Sequence, residues 1–313
     1  MKMRRGPPRM TERLCCWKPT QRRVAQTFSM PSHGLPVLLL VLALNGLPAH
    51  LYAQDGSNLP ELQRDLEEIN NGTNPTLLTT QAGIQYQFNQ INPDLDTGLL
   101  ELFYTQPFGD GSRAFRLTVP FSDSEFNSHP RLGDAALAFA ENPDIGAELA
   151  LGDISLTYID VFYLTERNGS AFTFELFLDM AATDFAGYGQ LAGETSLFYA
   201  WFLDNGSIFA PAWVQTFGLE GGNDDGQNVN VTTIDFYYVP KLANPKYYLT
   251  FDPAVIRDWE TDDTFGSLQV TAGMLTGRAF GGDSQVFIKP GILFGGDGPA
   301  DWSVQVGFKV LNF

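Results

Sequence analysis

From Thr76 to the C-terminus apolar side chains recur at every second position, and nowhere after residue 53 is there a run of 18 apolar residues. A period of two is the side-chain repeat of a β-strand, with one face apolar and the other polar. Such a chain cannot cross a bilayer as helices, yet it can cross as a closed barrel, because barrel strands carry their apolarity on one face alone. Twelve segments show the alternation: 79–88, 98–108, 112–121, 152–165, 171–182, 194–203, 207–218, 229–239, 246–256, 265–276 and a closing pair within Asp283–Phe313. In that pair Val286, Ile288, Ile292 and Phe294, then Trp302, Val304, Val306, Phe308 and Val310, form the apolar face. Gln285, Lys289, Ser303, Gln305 and Lys309 form the other.

Connection lengths support the same architecture. Short turns at Gly109-Asp110-Gly111, Glu166–Gly169, Asp204-Asn205-Gly206 and Leu242-Ala243-Asn244, and a slightly longer one near Gly281-Gly282, alternate with longer or more acidic loops at 89–97, 122–151, 183–193, 220–227, 258–264 and 295–301. An outer-membrane barrel has this asymmetry, with short periplasmic turns and long extracellular loops. The expected fold is therefore all-β: an antiparallel transmembrane β-barrel of 12 strands over 77–313. A thirteenth segment, 131–140, is Ala-rich and only half alternating, and counting it would break the loop alternation.

The chain ends at Phe313, and barrels of this class usually finish on an aromatic strand. Here the positions two, four and six residues before Phe313 are Leu311, Lys309 and Gly307, so the apolar set lies one residue out of phase. Either a bulge near Val310 shifts the phase or Phe313 does not act as the usual terminal signal.

Residues 1–53 read as an export signal. Leu35–Leu44 is an apolar core too short to span a bilayer, and Leu51-Tyr52-Ala53 is a small-residue cleavage site that leaves Gln54 first. The long basic leader makes Met30 an alternative start, although that start leaves no Lys or Arg ahead of the apolar core. Of 19 Lys and Arg and 36 Asp and Glu, the first 53 residues hold eight bases and one acid, which leaves 11 bases against 35 acids, a net charge of −24. That balance argues against a nucleic-acid partner. Cys15 and Cys16 both precede the cleavage site, so the exported chain has no thiol, disulfide or Cys-metal chemistry. Residues 54–76 open with Asn58-Leu59-Pro60-Glu61, a helix-start pattern, and continue with an apolar stripe of Leu62, Leu66 and Ile69. A short periplasmic helix or a plug segment is expected there.

Several landmarks, taken in order, resemble a known family. Leu151-Gly152-Asp153, Asp204-Asn205-Gly206, Asp258-Trp259-Glu260, Lys289-Pro290-Gly291, Gly295–Pro299 and Asp301-Trp302 look like the outer-membrane barrel family called "MetA-pathway of phenol degradation, putative". The resemblance covers about residues 76–313 and rests mostly on turn chemistry. It implies a bacterial outer-membrane barrel that passes small hydrophobic or aromatic compounds, and it transfers no catalytic or binding residue. The segment 122–150, with a second Leu132-Gly133-Asp134, is not matched.

With the apolar faces toward lipid, the lumen receives Glu101, Arg116, Glu175, Asp179, Glu194, Asp235, Lys289 and Lys309. Charges in such a place are paired or wet. An acid-weighted lumen of this kind either favours cations and neutral solutes or is packed by salt bridges. Asp160 falls on the lipid-facing side of its strand, which costs least near an interface or at a bulge. Asn223-Asp224-Asp225 and Asp258/Glu260/Asp262/Asp263 supply oxygen ligands without the spacing of a calcium loop, so no metal and no cofactor is expected. Ser/His catalysis needs a base, and the exported chain holds one His, His129 beside Ser128, without a nucleophile elbow; an enzyme is not expected. The expected partners are outer-membrane lipid, a small-molecule solute, and the barrel assembly machinery through the strand ending at Phe313. A structural or surface-interaction barrel without transport is the competing reading.

Overall fold

The structure is a computed structural model that describes residues 73–92, 95–126, 149–182, 186–220, 222, 228–296 and 300–313. The export signal, the helix expected before residue 73, the segment 131–140 with Leu132-Gly133-Asp134, Ser128 and His129, and Asn223-Asp224-Asp225 lie outside these residues.

Thirteen strands follow in chain order: β1 Gln81–Asn92, β2 Leu95–Phe108, β3 Arg113–Phe126, β4 Ala150–Leu151, β5 Ser155–Leu164, β6 Asn168–Phe177, β7 Ala192–Phe202, β8 Ile208–Gly218, β9 Asn230–Val239, β10 Tyr247–Asp258, β11 Asp263–Ala279, β12 Gly282–Phe294 and β13 Trp302–Leu311. Each pairs antiparallel with its neighbours, and β1 closes the ring on β13 with Ile84 opposite Phe308. The two-residue β4 continues the line of β5 along β3, so the wall has 12 staves, as the alternation predicts. Closure pairs every stave on both sides, which is what allows strands to lie in hydrocarbon without an unsatisfied edge.

The pleat sends the predicted apolar faces outward. Ile84, Leu102, Leu117, Leu156, Leu197, Trp213, Ile234, Val255, Ile288 and Val306 are all exposed on the outer wall. Near the short-turn end this belt carries a ring of aromatics: Phe108 stacks on Phe115 at 5.1 Å, Phe115 meets Tyr158 at 5.5 Å, and Tyr199, Trp201 and Phe209 form a second run. Phe88 and Trp302, 5.3 Å apart, mark the long-loop end. An apolar band flanked by aromatic girdles is the surface a bilayer requires. Leu197 lies mid-way along β7 and is 48% exposed, so Leu197→Arg should cost about 2–4 kcal/mol in unfolding from lipid vesicles. Ser196→Ala, on the inward face of the same strand, loses one hydrogen bond to Thr173 and should cost about 1 kcal/mol.

Two local departures from strict alternation have physical causes. In β5 a register shift between Asp160 and Tyr163 reverses the phase, so Tyr163 points out and Leu164, expected on the lipid face, is buried. Asp160 sits at this bulge near the short-turn end. The Tyr158 hydroxyl donates to it at 3.0 Å, and Arg113 lies 3.7 Å away, which removes most of the cost of an outward carboxylate. At the C-terminus no bulge is needed: β13 stays in register through Leu311, and Asn312 takes a left-handed φ of 56°. That turn puts Phe313 on the outer face, 6.3 Å from Tyr104, despite its out-of-phase position in the sequence.

Candidate solute pathway in the barrel lumen

Glu101, Arg116, Glu175, Glu194, Asp235, Lys289 and Lys309 each lie on a strand, at positions that alternate with the outward apolar set. Asp179 is the exception. β6 ends at Phe177, two residues short of it, because the backbone turns away to give the Met180 and Ala181 amides to Asp153. Asp179 therefore lies exposed on the rim rather than on the wall.

The charges are sorted into sectors. Glu175 accepts from the Ser155 hydroxyl at 2.5 Å and Glu194 from the Thr216 hydroxyl at 2.8 Å, which holds both acids on the β6–β7 wall. Asp235 on β9 and Asp252 on β10 are diagonal neighbours, and Lys289 reaches over β11 to within 3.8 Å of Asp252. β13, beside β12, carries Lys309, and β3, two staves from β6, carries Arg116. The Arg116 Nε donates to Thr105 at 2.9 Å, and its guanidinium lies over the Phe103 ring, 5.0 Å from the centroid. On β1 and β2 the Gln85 amide donates to Glu101 at 2.5 Å.

At the short-turn end the β5–β9 side of the lumen is filled. Val161, Leu164 and Ala171 form one buried cluster, joined by Leu78, Phe198 and Phe202; Ala200, Ile208, Ala210 and Val239 form a second, joined by Phe202 and Tyr237. Residues 73–80 pack against them. This stretch crosses the lumen from the start of β1, where Asn312 N donates to Thr80 O, to β9, where the Tyr237 hydroxyl donates to Thr73 O at 3.2 Å. β9 stands five staves from β1 in one direction and seven in the other, so the strap runs nearly diametrically. Thr76 is fully buried over Gly169, and the Asn74 side chain fixes the turn by accepting from the Thr76 amide and hydroxyl. Alternation alone could not reveal this strap, since it belongs to no strand.

At the opposite mouth, Asp153 is 5% exposed and accepts three backbone N–H groups, from Met180, Ala181 and Tyr188, at 2.7–3.0 Å. This draws the chain on either side of 183–185 onto the mouth, with Tyr188 edge-on to Phe177 at 5.1 Å and Gln190 at 2% exposure. The acidic hairpin after β10 is tied differently. Asp262 pairs with Arg257, Arg257 lies over Trp259, and Asp258 accepts from the Glu260 and Thr261 amides. Among the described residues no three His, Cys, Asp or Glu side chains converge as a metal site.

No protein-family model matches the chain, and no curated protein matches it. Solved structures do. The COG4313 outer membrane channel from Pseudomonas putida F1 superposes with a TM-score of 0.56 at 12% identity, over 77% of this chain and 98% of that one. The KdgM and NanC porins match at TM-scores of 0.46 and 0.44 and 9% identity, over 74% of this chain and 98% of each of theirs. At these identities the likeness speaks to fold, and the fold is a closed antiparallel barrel shared with a solved outer-membrane channel.

Proposed function

We propose that this chain is a channel of the Gram-negative outer membrane that passes small solutes carrying an apolar or aromatic ring. The observation that carries the reading is a closed 12-stave barrel whose outer belt is apolar and whose opposite face carries charged side chains, Lys289 beside Asp252 among them. A barrel built only as a scaffold could fill its interior with apolar side chains at less cost than burying these charges. The resemblance to the phenol-degradation barrel family and the rings of Phe103, Phe287, Tyr237 and Tyr248 along the inner wall support a ring-bearing solute. No catalytic role is assigned, and outer-membrane lipid and the barrel assembly machinery, through the β13 terminus at Phe313, are the partners of this reading.

The protein is expected in the outer-membrane fraction, migrating faster unheated than boiled on a denaturing gel, as closed barrels do. Reconstituted into liposomes, it should admit small neutral aromatic solutes faster than protein-free vesicles do. Recovery as a soluble periplasmic protein would sink the barrel placement. A folded, heat-modifiable barrel that admits no solute would transfer the reading to a structural or surface-interaction role.

A further inference from the structure

The inner wall from β12 to β3 is built differently from the rest of the lumen. Ladder register puts Gln285, Lys309, Gly83 and Phe103 in one row across β12, β13, β1 and β2. The next row holds Phe287, Gly307, Gln85 and Glu101. Each row has a glycine where an aromatic ring comes down on the wall. A Cβ at Gly83 would stand 2.5 Å from the Phe103 ring, and one at Gly307 would stand 2.4 Å from the Phe287 ring. The glycines thus let two rings lie against the backbone with Lys309 in the same row as one of them. Arg116 covers Phe103, and the contacts that fix it among the described residues use Nε and the face of the group rather than the terminal nitrogens. Lys309 and Arg116 lie within electrostatic reach of each other, and Glu101 and Glu175 within reach of Arg116. The filled β5–β9 side and the strap direct any path along this wall.

We infer that this wall is a docking site for small carboxylates with a flat apolar body, the carboxylate meeting Arg116 and Lys309 and the ring lying on Phe103 and Phe287. A guanidinium presents a fork that matches a carboxylate, and a second cation in the same low-dielectric space adds to it. Glu101 and Glu175, the acids nearest Arg116, are themselves held to Gln85 and Ser155. The site deepens the channel reading and rests on it for its purpose, but binding can be measured apart from conduction.

The test uses the purified, detergent-solubilised full barrel and isothermal calorimetry with three probes: benzoate, benzyl alcohol and sulfate. Benzoate should bind at least about tenfold more tightly than either of the others, since losing a charge-assisted hydrogen bond or a stacking surface each costs about that factor. Arg116→Gln and Lys309→Met should each remove about tenfold of the benzoate affinity and leave benzyl alcohol unchanged. Arg116→Lys should recover part of it. Unheated gel mobility checks that each variant is folded, and Lys309→Met carries the test alone if Arg116→Gln does not fold. Benzoate binding no tighter than benzyl alcohol overturns the site, as does full affinity in a folded Lys309→Met barrel. Sulfate binding as tight as benzoate overturns the ring contact. Currents across a planar bilayer in the absence of benzoate test the channel separately, so a conducting barrel without benzoate binding refutes the dock and leaves the channel standing.

Discussion

Asp153→Ala is expected to destabilise the barrel by about 3–5 kcal/mol and to free the chain that folds over its long-loop mouth. The carboxylate is 5% exposed and is the acceptor for the amides of Met180, Ala181 and Tyr188. Alanine leaves three donors unsatisfied, each worth about 1–3 kcal/mol where water does not reach it, and rim hydration brings the sum below the upper limit. The loss should be local as well as global. Hydrogen exchange at those three amides should rise by orders of magnitude, while exchange at mid-β7 amides should stay slow. Asp153→Asn keeps one acceptor oxygen but turns an NH2 toward a backbone donor, so it should fall between wild type and alanine. Unchanged exchange at Tyr188 in Asp153→Ala would show that the mouth is held by other contacts, for which Gln190 against β8 is the candidate. Because Tyr188 stands over the acid-bearing β6–β7 wall, release of this segment should also raise solute flux, read as a higher open-channel conductance.

Deleting residues 73–78 is expected to raise conductance several-fold, the largest functional effect any single change to this barrel should have. The strap occupies the short-turn mouth along nearly its full width, and its removal takes away Thr76 over Gly169, the Thr73 carbonyl on Tyr237, and Leu78 from the cluster of Val161, Leu164 and Ala171. None of these contacts belongs to the barrel ladder, so the staves should still close and the unheated protein should keep its fast migration. Melting temperature should fall, because apolar side chains that Leu78 covers become wet; burying a Leu contributes about 1.5–3 kcal/mol. Tyr237→Phe offers a milder counterpart that removes one hydrogen bond to the strap. Conductance unchanged by the deletion would mean that the narrowest point lies at the other mouth, under Tyr188.

The barrel was legible in the sequence because its determinants are local and repeated. Alternation with a period of two names the outward residue at each step, and Leu102, Leu156, Leu197 and Ile288 lie on the lipid face for that reason. The same alternation, read on its other phase, places Glu101, Arg116, Glu175, Glu194, Asp235, Lys289 and Lys309 inside. It fails where the backbone stops being a regular strand. The apolar pattern runs on to Met180 and so carries Asp179 onto the wall, whereas the pull of Asp153 ends β6 at Phe177. Strict alternation through 152–165 would carry Leu164 to the lipid face, whereas the β5 bulge, which leaves no mark in composition, buries it.

What the sequence by itself determined is the class of wall: strand number and which face meets lipid. Each follows from side-chain order along one strand, and twelve strands repeat the instruction. What only the tertiary structure decided is how the interior is partitioned. Lys309 and Phe103 are more than two hundred residues apart in the chain, yet both pair with Gly83 and stand in one row of the wall. Asp153 and Tyr188 meet at one mouth and Thr73 and Tyr237 at the other, in each case between segments that share no ladder pairing. A single carboxylate or hydroxyl then fixes a whole segment across the opening. Such contacts depend on the circumference and register of the closed ladder, and no local pattern encodes either.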